Sequence, residues 1–420
     1  MAVASARPAA VSLEIRPLRE DEFPAYSLRI EKAFGSVPTA EQIADWRSIS
    51  ELDRSLAVFD ADDIVGAAGA FSFDLTVPGG VAVPVAGVTA VAVAPTHRRQ
   101  GVLTSVMDRQ LDDVAARGEA VAILTASETG IYGRFGYGLA SFVAGVRIET
   151  GRSAFARPVE ADGRLRSVEA AAATKVLPGV YDRWRSGRTG ALSRSDTWWE
   201  RIWRDREHDR DGASGLHCVV HLDDGGEPDG YATWRMRDTW TDHAIPENIV
   251  EIQELCALAG EVEAALWRFL LDIDLASEVR FRTAPTDASV RWRLIEPRRL
   301  QTTVVRDWLW VRLVDVAAAL GLRRYDTDGS LVLDVADRFR PAQAGRYRLA
   351  VSGGVGVAER TDDRAEVALD VADLGAIYLG GVSVRDLAAA GRLQERAPGA
   401  IDRAERLFRT WPAPYCHTMF

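Results

Sequence analysis

The sequence predicts a mixed α/β fold divided into several domains, and three observations lead to that prediction. Strand-like and helix-like patterns alternate along the first third of the chain. The 420 residues exceed what one core usually organises, since domains hold roughly 100 to 200 residues. Apolar residues make up 47% of the chain and charged residues 27%, which is enough for packed cores and excludes intrinsic disorder.

The first predicted domain covers residues 1–152 and contains a parallel strand, helix, strand crossover. An apolar run at 88–93 is typical of a buried strand and stops at Pro95. Apolar residues then recur with helical spacing from Leu103 until Gly118 ends the helix. The turn between them lies at the carboxyl end of the first strand, where α/β sheets bind ligands. In order, we expect a flexible start to about residue 10, a strand at 11–17, a helix at 21–34, strands at 55–59 and 63–73, the strand at 88–93, a helix at 103–118 and a strand at 120–124.

Two further domains are predicted to follow. Residues 153–302 begin with a tryptophan-rich helical part and continue as a second α/β pattern, which lacks the Arg-x-x-Gly turn of the first. Residues 303–420 form a small α+β unit whose aromatic, proline-containing end at 410–420 is expected to be extended. The predicted elements are strands at 217–222 and 231–235, a helix at 262–273, a strand at 278–283, a helix at 313–320 and strands at 331–335 and 346–351.

Composition excludes several classes of function. Lys and Arg number 51 against 61 Asp and Glu, so the net charge of -10 argues against nucleic-acid and acidic-membrane partners and suits a cationic substrate. Three cysteines without a C-x-x-C spacing indicate neither a disulfide framework nor a zinc site, and fit a reducing cytoplasm. No secretion signal and no apolar window of membrane-spanning length is recognisable, and no metal is expected.

The most specific motif joins the strand at 88–93 to the helix after it. It runs Val91-Ala-Val-Ala-Pro-Thr-His-Arg-Arg-Gln-Gly-Val-Leu-Thr104 and contains Arg98-x-x-Gly101. Such a turn presents backbone N–H groups and the positive end of a helix dipole, which suits a diphosphate. It matches neither the P-loop nor the dinucleotide pattern, which disfavours both ligand classes. The alternative is an ordinary polar turn.

A second motif, Leu124-Thr-Ala-Ser-Glu-Thr-Gly-Ile-Tyr-Gly-Arg-Phe-Gly-Tyr-Gly138, follows the next strand. Its crowded glycines and tyrosines predict tight turns near a ligand, with Tyr132 able to donate a proton. The alternative is that Tyr132 is a core aromatic with its hydroxyl bonded to the backbone.

Together the two motifs resemble the enhanced intracellular survival (Eis) family within the GNAT superfamily of N-acetyltransferases. The resemblance extends to the second α/β pattern and the third domain, although Leu103 stands where GNAT loops usually have Gly or Ala. It implies two tandem GNAT domains, the second degenerate, followed by a domain similar to sterol carrier proteins. A homohexamer is implied as well.

The resemblance also implies the site. Tyr132 would protonate the departing CoA sulfur, and the terminal carboxylate of Phe420 would act as base after the tail folds back to the first domain. Trp46 would line the acceptor pocket, although a packed tryptophan explains that residue nearly as well. The residues implied to hold acetyl-CoA are Val91, Ala92, Val93, Arg98, Arg99, Gln100, Gly101, Val102, Leu103, Thr104, Ser127 and Glu128.

The expected activity is transfer of the acetyl group of acetyl-CoA to primary amines of a polycationic small molecule, with aminoglycosides acetylated at several positions. Two alternatives remain: a protein lysine or polyamine as acceptor, and a non-catalytic acyl-CoA or lipid-binding protein. One acetyl-CoA per chain is expected, since the second domain lacks the loop.

Weaker candidates have simpler explanations. His217 and His221 lie in a strand pattern, so they are about 13 Å apart and cannot share a metal. The segment Asp326-Thr-Asp-Gly329 resembles the start of a calcium loop without its later ligands, and a hairpin turn is expected. His417, near the terminus, could reach the site, but a solvated histidine is expected.

Overall fold

The computed structural model describes residues 13–420, which form two compact units. The first unit runs to Phe73 and also holds Pro84–Leu124 and Phe420. The second unit holds Asp74–Val83 and Thr125–Met419. Residues 11 and 12 of the first predicted strand, and the start that is predicted to be flexible, lie outside the described residues.

The first unit is built on a sheet whose strands follow the order β1-β2-β3-β4-β5. The first three strands pair antiparallel, and β4 and β5 pair parallel across the crossover helix α3. The elements are β1 (Glu14–Pro17), α1 (Phe23–Ala33), α2 (Ala40–Ile49), β2 (Leu56–Asp60), β3 (Asp63–Val77), β4 (Val81–Val93), α3 (Val102–Ala116) and β5 (Val121–Thr125).

Alternating side chains of this sheet enter two cores. Ala57 and Phe59 of β2 face a core with Phe23 and Tyr26 of α1. Their neighbours on β2 face the opposite core, to which Val102 of α3 belongs. This is the period-two alternation of a strand covered on both sides.

The second unit begins with a seven-stranded sheet in the order β13-β7-β12-β11-β10-β9-β8. The pair β11 and β12 is parallel and joined by helix α7, while β7 lies between β12 and β13 and pairs antiparallel with both. The elements are α4 (Thr129–Tyr132), β6 (Gly138–Leu139), β7 (Phe142–Glu149), β8 (Arg164–Ser167), α5 (Ala170–Ser186), α6 (Asp196–Arg204), β9 (His217–Leu222), β10 (Pro228–Arg237), β11 (Asn248–Ala257), α7 (Gly260–Leu271), β12 (Ala276–Ala284), α8 (Val290–Arg293) and β13 (Leu300–Asp307).

This sheet takes in β7, although the sequence assigns residues 1–152 to the first domain. The parallel crossover predicted at 262–273 and 278–283 is present as α7 and β12. Helix α7 covers one face through Leu266 and Leu270. Helix α5 packs with Tyr231 and Cys256, residues of β10 and β11.

The last part of the second unit has a five-stranded sheet in the order β17-β16-β15-β18-β19. Residues 409–420 follow its last helix without helix or strand, as predicted for the tail. The elements are β14 (Leu309–Leu313), α9 (Val316–Leu322), β15 (Gly329–Ala336), β16 (Gly345–Ser352), β17 (Val355–Arg360), β18 (Val367–Asp370), α10 (Val371–Tyr378), α11 (Val384–Ala389), β19 (Gln394–Glu395) and α12 (Ala400–Phe408).

The hairpin turn predicted at 326–329 is wrong. The segment precedes β15, and the connection between the antiparallel strands β15 and β16 lies at 337–344. The two aspartates and the glycine lie at the end of the loop that follows α9. Turn-forming residues are therefore found in a loop, as expected, but a helix and not a strand precedes that loop.

Candidate active site

The turn between β4 and α3 has the geometry of an anion-binding loop. Gly101 is the N-cap residue of α3 with φ +87°, in the left-handed region that favours glycine. Arg99 has φ +63°, so two left-handed residues shape the turn. The 15-residue helix behind it directs the positive end of its dipole at this point.

The turn residues fit the diphosphate of an acyl-CoA. A Cβ added at Gly101 would meet nothing within 4 Å, so the backbone there is open to a ligand. Arg98, Arg99 and Gln100 are exposed, and Thr104 is exposed one turn later. Val102 is buried instead and fixes the start of the helix on the core, and Leu103 packs partly against the same core.

Strand β4 separates from β5 just before this turn. The parallel pairing runs from Val85 and Val121 to Val88 and Leu124, and β4 continues five residues further, to Val93. Ala90 has φ +55°, which interrupts the regular strand. Bends of this kind occur beside active sites because they redirect the strand.

The last residues of β4 alternate between the two cores. Ala92 is buried with the α1 side, and Val91 and Val93 pack partly against the α3 side. This stretch leads directly into the turn at Arg98. The resemblance implies that the strand residues lie beside the pantetheine arm and that the loop residues hold the diphosphate. The two sets follow each other along the chain without a break.

Phe420 is buried within the first unit. Its ring is 8% exposed and lies edge-on to Phe73, with 5.3 Å between the ring centroids. A Cβ at Gly87 of β4 would lie 3.2 Å from Cε2 of Phe420, so glycine leaves room for the ring. Burying a phenylalanine contributes roughly 1.5 to 3 kcal/mol, which opposes the fraying usual at a terminus.

Tyr132 ends the short helix α4 of the second unit and is 6% exposed. Its ring is edge-on to Tyr137, with 6.2 Å between centroids. Burial raises the pKa of Tyr132, and the charge of Glu128 raises it further. Glu128 and Ser127 are exposed just before α4, so the second motif places an acidic group near a tyrosine that stays protonated at neutral pH.

The glycines of the second motif divide into two kinds. Gly130 and Gly133 have nothing within 4 Å of an added Cβ. At Gly138 that atom would lie 1.7 Å from the carbonyl oxygen of Ala372, and at Gly136 2.0 Å from Arg312. The later glycines therefore allow close packing against α10 and β14, and only the earlier ones are open.

Comparisons with known proteins agree with this architecture. Family models described as an acetyltransferase (GNAT) domain match residues 14–140 and again 190–313, and one described as a sterol carrier protein domain matches residues 316–417. An uncharacterised N-acetyltransferase of Streptomyces avermitilis is 44% identical over 96% of this chain and 99% of its own. The N-acetyltransferase Eis of Mycobacterium tuberculosis is 32% identical over 93% of this chain and 95% of its own.

The chain belongs to the Eis family of GNAT N-acetyltransferases.

The crystal structure of Eis1 from Mycobacterium abscessus supports the same assignment, with a TM-score of 0.86 and 35% identity over 97% of this chain and 100% of that one. Two GNAT domains and a domain similar to sterol carrier proteins are therefore confirmed. The protein is an acetyl-CoA-dependent N-acetyltransferase, which decides against a purely non-catalytic binding protein.

Two expectations about this Eis-family chain concern absences. Among residues 13–420, no group of three or more His, Cys, Asp or Glu side chains could hold a metal ion. In the same described range, every helix is too short or too polar to cross a membrane. The three cysteines are buried free thiols.

Trp46 lies on α2 of the first GNAT domain. It is partly buried and packs against the core that contains Leu18 and Phe23, so its place in the core is clear. A role in the acceptor pocket stays a prediction.

The prediction that His417 is solvated is wrong. Its side chain is 15% exposed, and its Nδ1 lies 2.9 Å from Oε1 of Glu254 on β11. Sequence reasoning missed both this contact and Glu254 itself. A carboxylate two residues before the buried Cys256 could have indicated a buried charge that needs a partner.

Proposed function

We propose that the enzyme acetylates primary amines of polycationic small molecules, aminoglycosides foremost, by direct attack of the amine on the thioester within a ternary complex. The observation that carries this proposal is the burial of Phe420 against Phe73 and Gly87 in the unit that also holds the Arg98–Thr104 loop. A tail bound there has a function beyond connecting domains, because chain ends otherwise fray.

Each residue then has one task. The loop after β4 would hold the diphosphate through backbone N–H groups and the helix dipole. The cosubstrate supplies a thioester acyl group that an amine can attack. The backbone near Val91–Val93 would orient and polarise its carbonyl, so that most of the rate gain comes from positioning and electrostatics.

Two proton transfers complete the reaction. The carboxylate of Phe420 would accept, through a water, the proton of the ammonium nitrogen that forms when the neutral amine attacks the thioester, since an α-carboxyl with a reference pKa of about 3.3 to 3.7 is too weak a base for direct removal. As the C–S bond breaks, the hydroxyl of Tyr132 would donate its proton to the sulfur. The products are the N-acetylated amine and CoA, and the two proton shifts balance through solvent.

Charge supports the class of acceptor, a polycation, and not the choice within that class. The net charge of -10 attracts polycations and raises their encounter rate. It does not distinguish an aminoglycoside from a polyamine or a lysine-rich peptide, because all three are polycationic.

Thiol release from acetyl-CoA distinguishes these acceptors. We expect kcat/KM with kanamycin to exceed the values with spermidine and with a lysine peptide by at least about tenfold, which corresponds to ~1.4 kcal/mol of transition-state binding. Higher kcat/KM with the peptide or the polyamine would contradict the aminoglycoside proposal while keeping the acetyltransfer.

The homohexamer also stays a prediction, and light scattering on the full chain checks it.

A further inference from the structure

Several residues of the tail before Phe420 are bonded to other parts of the second unit. The N–H of Ala413 donates to Asp287 at 2.9 Å, and the N–H of Tyr415 donates to the carbonyl of Thr189 at 2.8 Å. Tyr415 also donates its hydroxyl to the carbonyl of Thr283 at 2.7 Å. A segment with this many bonds is held in one conformation rather than loosely apposed.

A buried carboxylate lies at the centre of these contacts. Glu254, 6% exposed, accepts two hydrogen bonds from Arg194, at 2.8 and 3.1 Å, and one from the hydroxyl of Tyr231 at 2.6 Å. His417 contacts it at 2.9 Å, and Nε of Arg194 donates to Oγ1 of Thr418 at 3.1 Å. We call Arg194, Tyr231, Glu254, His417 and Thr418 the tail cluster.

The charges within the tail cluster support one another. Burial by itself would raise the pKa of Glu254, but the positive charge of Arg194, the interaction with His417 and the hydrogen bonds from both hold that pKa well below its usual range. A buried carboxylate stays charged only with such partners. One partner of Glu254, His417, belongs to the tail, and another, Arg194, also donates to Thr418 of the tail, so the charge and the tail depend on each other.

An irregularity in β11 directs Glu254 toward the tail. Thr233 pairs with Glu254 and the next residue, Trp234, pairs with Ile252, so Gln253 is an extra residue in the strand. A bulge of this kind reverses the side-chain alternation. It turns Glu254 to the face of Tyr231, away from the core that contains Ile252.

The tail also contacts both strands of the parallel pair beyond their last paired residues. The pairing of β11 and β12 ends at Ile252 and Phe281. Past that point Glu254 contacts the tail from β11, and the carbonyl of Thr283 does so from β12. In the first GNAT domain the corresponding parallel pair ends at Val88 and Leu124, next to the cosubstrate loop.

We propose that Glu254 is a positioning residue for catalysis, which fixes His417 and Thr418 and thereby sets where the carboxylate of Phe420 lies, two residues further along the chain. This inference rests on the proposed role of that carboxylate. The ends of β11 and β12 beyond their paired residues would then bind the tail. This gives the degenerate GNAT domain a task of its own and leaves one acetyl-CoA per chain.

Three variants of the full-length chain test the proposal. Glu254→Gln keeps the shape and removes the charge. Thr418→Val removes only the hydroxyl that Arg194 bonds, so it serves if the first variant folds poorly. Glu119→Gln is the matched control, because Glu119 forms an equally buried pair with Arg54 in the first unit, at 2.7 and 2.8 Å.

Two readouts separate positioning from plain stability. The first is the rate at which carboxypeptidase A releases Phe420, measured by mass spectrometry, which reports how firmly the tail is held. The second is kcat with kanamycin, measured in the full chain and in the chain without Phe420. A residue that acts through Phe420 has no further effect once Phe420 is absent.

We expect Glu254→Gln to speed release of Phe420 and to lower kcat by roughly tenfold or more, a part of what a positioned base contributes. The KM for acetyl-CoA should stay the same, the loss should vanish in the chain without Phe420, and Thr418→Val should act in the same direction. Glu119→Gln should leave tail release unchanged.

Two results would overturn the positioning role. The first is an unchanged rate of Phe420 release in both Glu254→Gln and Thr418→Val. The second is a loss of kcat in Glu254→Gln that is equally large in the chain without Phe420. If instead tail release rises and every variant, including the chain without Phe420, keeps full kcat, the proposed role of the carboxylate fails and Glu254 only fastens the tail.

Discussion

Replacing Tyr132 by phenylalanine isolates the proposed general acid. The change removes one hydroxyl and keeps the ring, which is 6% exposed and in edge contact with Tyr137. Packing of α4 is therefore retained, and we expect the free energy of unfolding to change by no more than about 1 kcal/mol. Any larger loss of activity then reflects chemistry and not folding.

The magnitude follows from the proton that must be transferred. A phenol with a reference pKa near 10 and a thiol near 8.5 differ by about 2 kcal/mol for complete transfer, and the raised pKa of Tyr132 enlarges that difference. The proton must accordingly move while the C–S bond breaks, when the sulfur is most basic. Loss of such a donor costs on the order of 10²-fold in kcat, or ~2.7 kcal/mol.

Thiol release from acetyl-CoA with kanamycin measures this directly. We expect Tyr132→Phe to lower kcat about 10²-fold with little change in the KM for either substrate. Because burial raises the pKa of Tyr132 above the usual tyrosine value of about 10, the hydroxyl stays protonated at lower pH, and ionisation of Tyr132 should cause no fall in kcat below pH 10. A kcat within threefold of the parent enzyme would refute the general-acid role.

Three further predictions concern two glycines described above and an ion pair of the first unit between Arg16 and Glu22, whose shortest N–O distance is 2.6 Å. Gly101→Ala should raise the Kd for CoA about 5- to 30-fold, measured by calorimetry. Gly101 has φ +87° with open space around it, and a left-handed alanine costs roughly 1 to 2 kcal/mol. An unchanged Kd would contradict the loop geometry. Gly87→Ala would bring a Cβ to 2.6 Å from Phe73 and 3.2 Å from Phe420, so we expect kcat to fall while CoA still binds. An unchanged kcat would contradict the proposal that the buried position of the Phe420 ring matters for catalysis. Hydrogen bonds from Arg16 lower the pKa of Glu22 from 4.5 to about 2. The charged Glu22 therefore stabilises the fold above pH 4.5, and this stabilisation is lost as the pH falls toward 2. Glu22→Gln should flatten the dependence of Tm on pH in that window, and an unaltered dependence would show that the pair contributes nothing.

Local patterns predicted most individual elements well. The strand expected at 217–222 is β9, His217–Leu222, and the helix expected at 103–118 is α3, Val102–Ala116. The helix repeats apolar residues at helical spacing, and the strand contains a short apolar run at 218–220. Patterns of this kind indicate an element without help from distant residues.

Elements whose place depends on distant partners were not predicted. Strand β7 reads locally as the end of the first domain but pairs with β12 and β13, more than 120 residues later. Helix α10 was missed because it is buried on all sides and shows no amphipathic face. Helices α11 and α12 were missed as well, although α12 buries Ala400, Ala404 and Leu407 at helical spacing.

The turn and helix of the candidate site were predicted because their residues are consecutive, and contacts between residues far apart in the sequence were missed. The loop from Arg98 to Thr104 is a continuous motif, so its turn and helix were recognisable. The tail cluster joins Arg194, Glu254 and His417 across separate elements, and its geometry depends on a bulge at Gln253. No pattern within a short window records such a meeting.

The participation of the Phe420 carboxylate in acetyl transfer underlies the whole proposed mechanism. Its most direct test compares kanamycin acetylation by three chains: the full chain, the chain without Phe420, and the chain extended by one glycine, which keeps the ring but moves the carboxylate by about 3.8 Å. We predict that both altered chains bind CoA normally and lose about 10²-fold or more in kcat, since small misplacements of reacting groups are costly. Full activity in the glycine-extended chain would contradict the account.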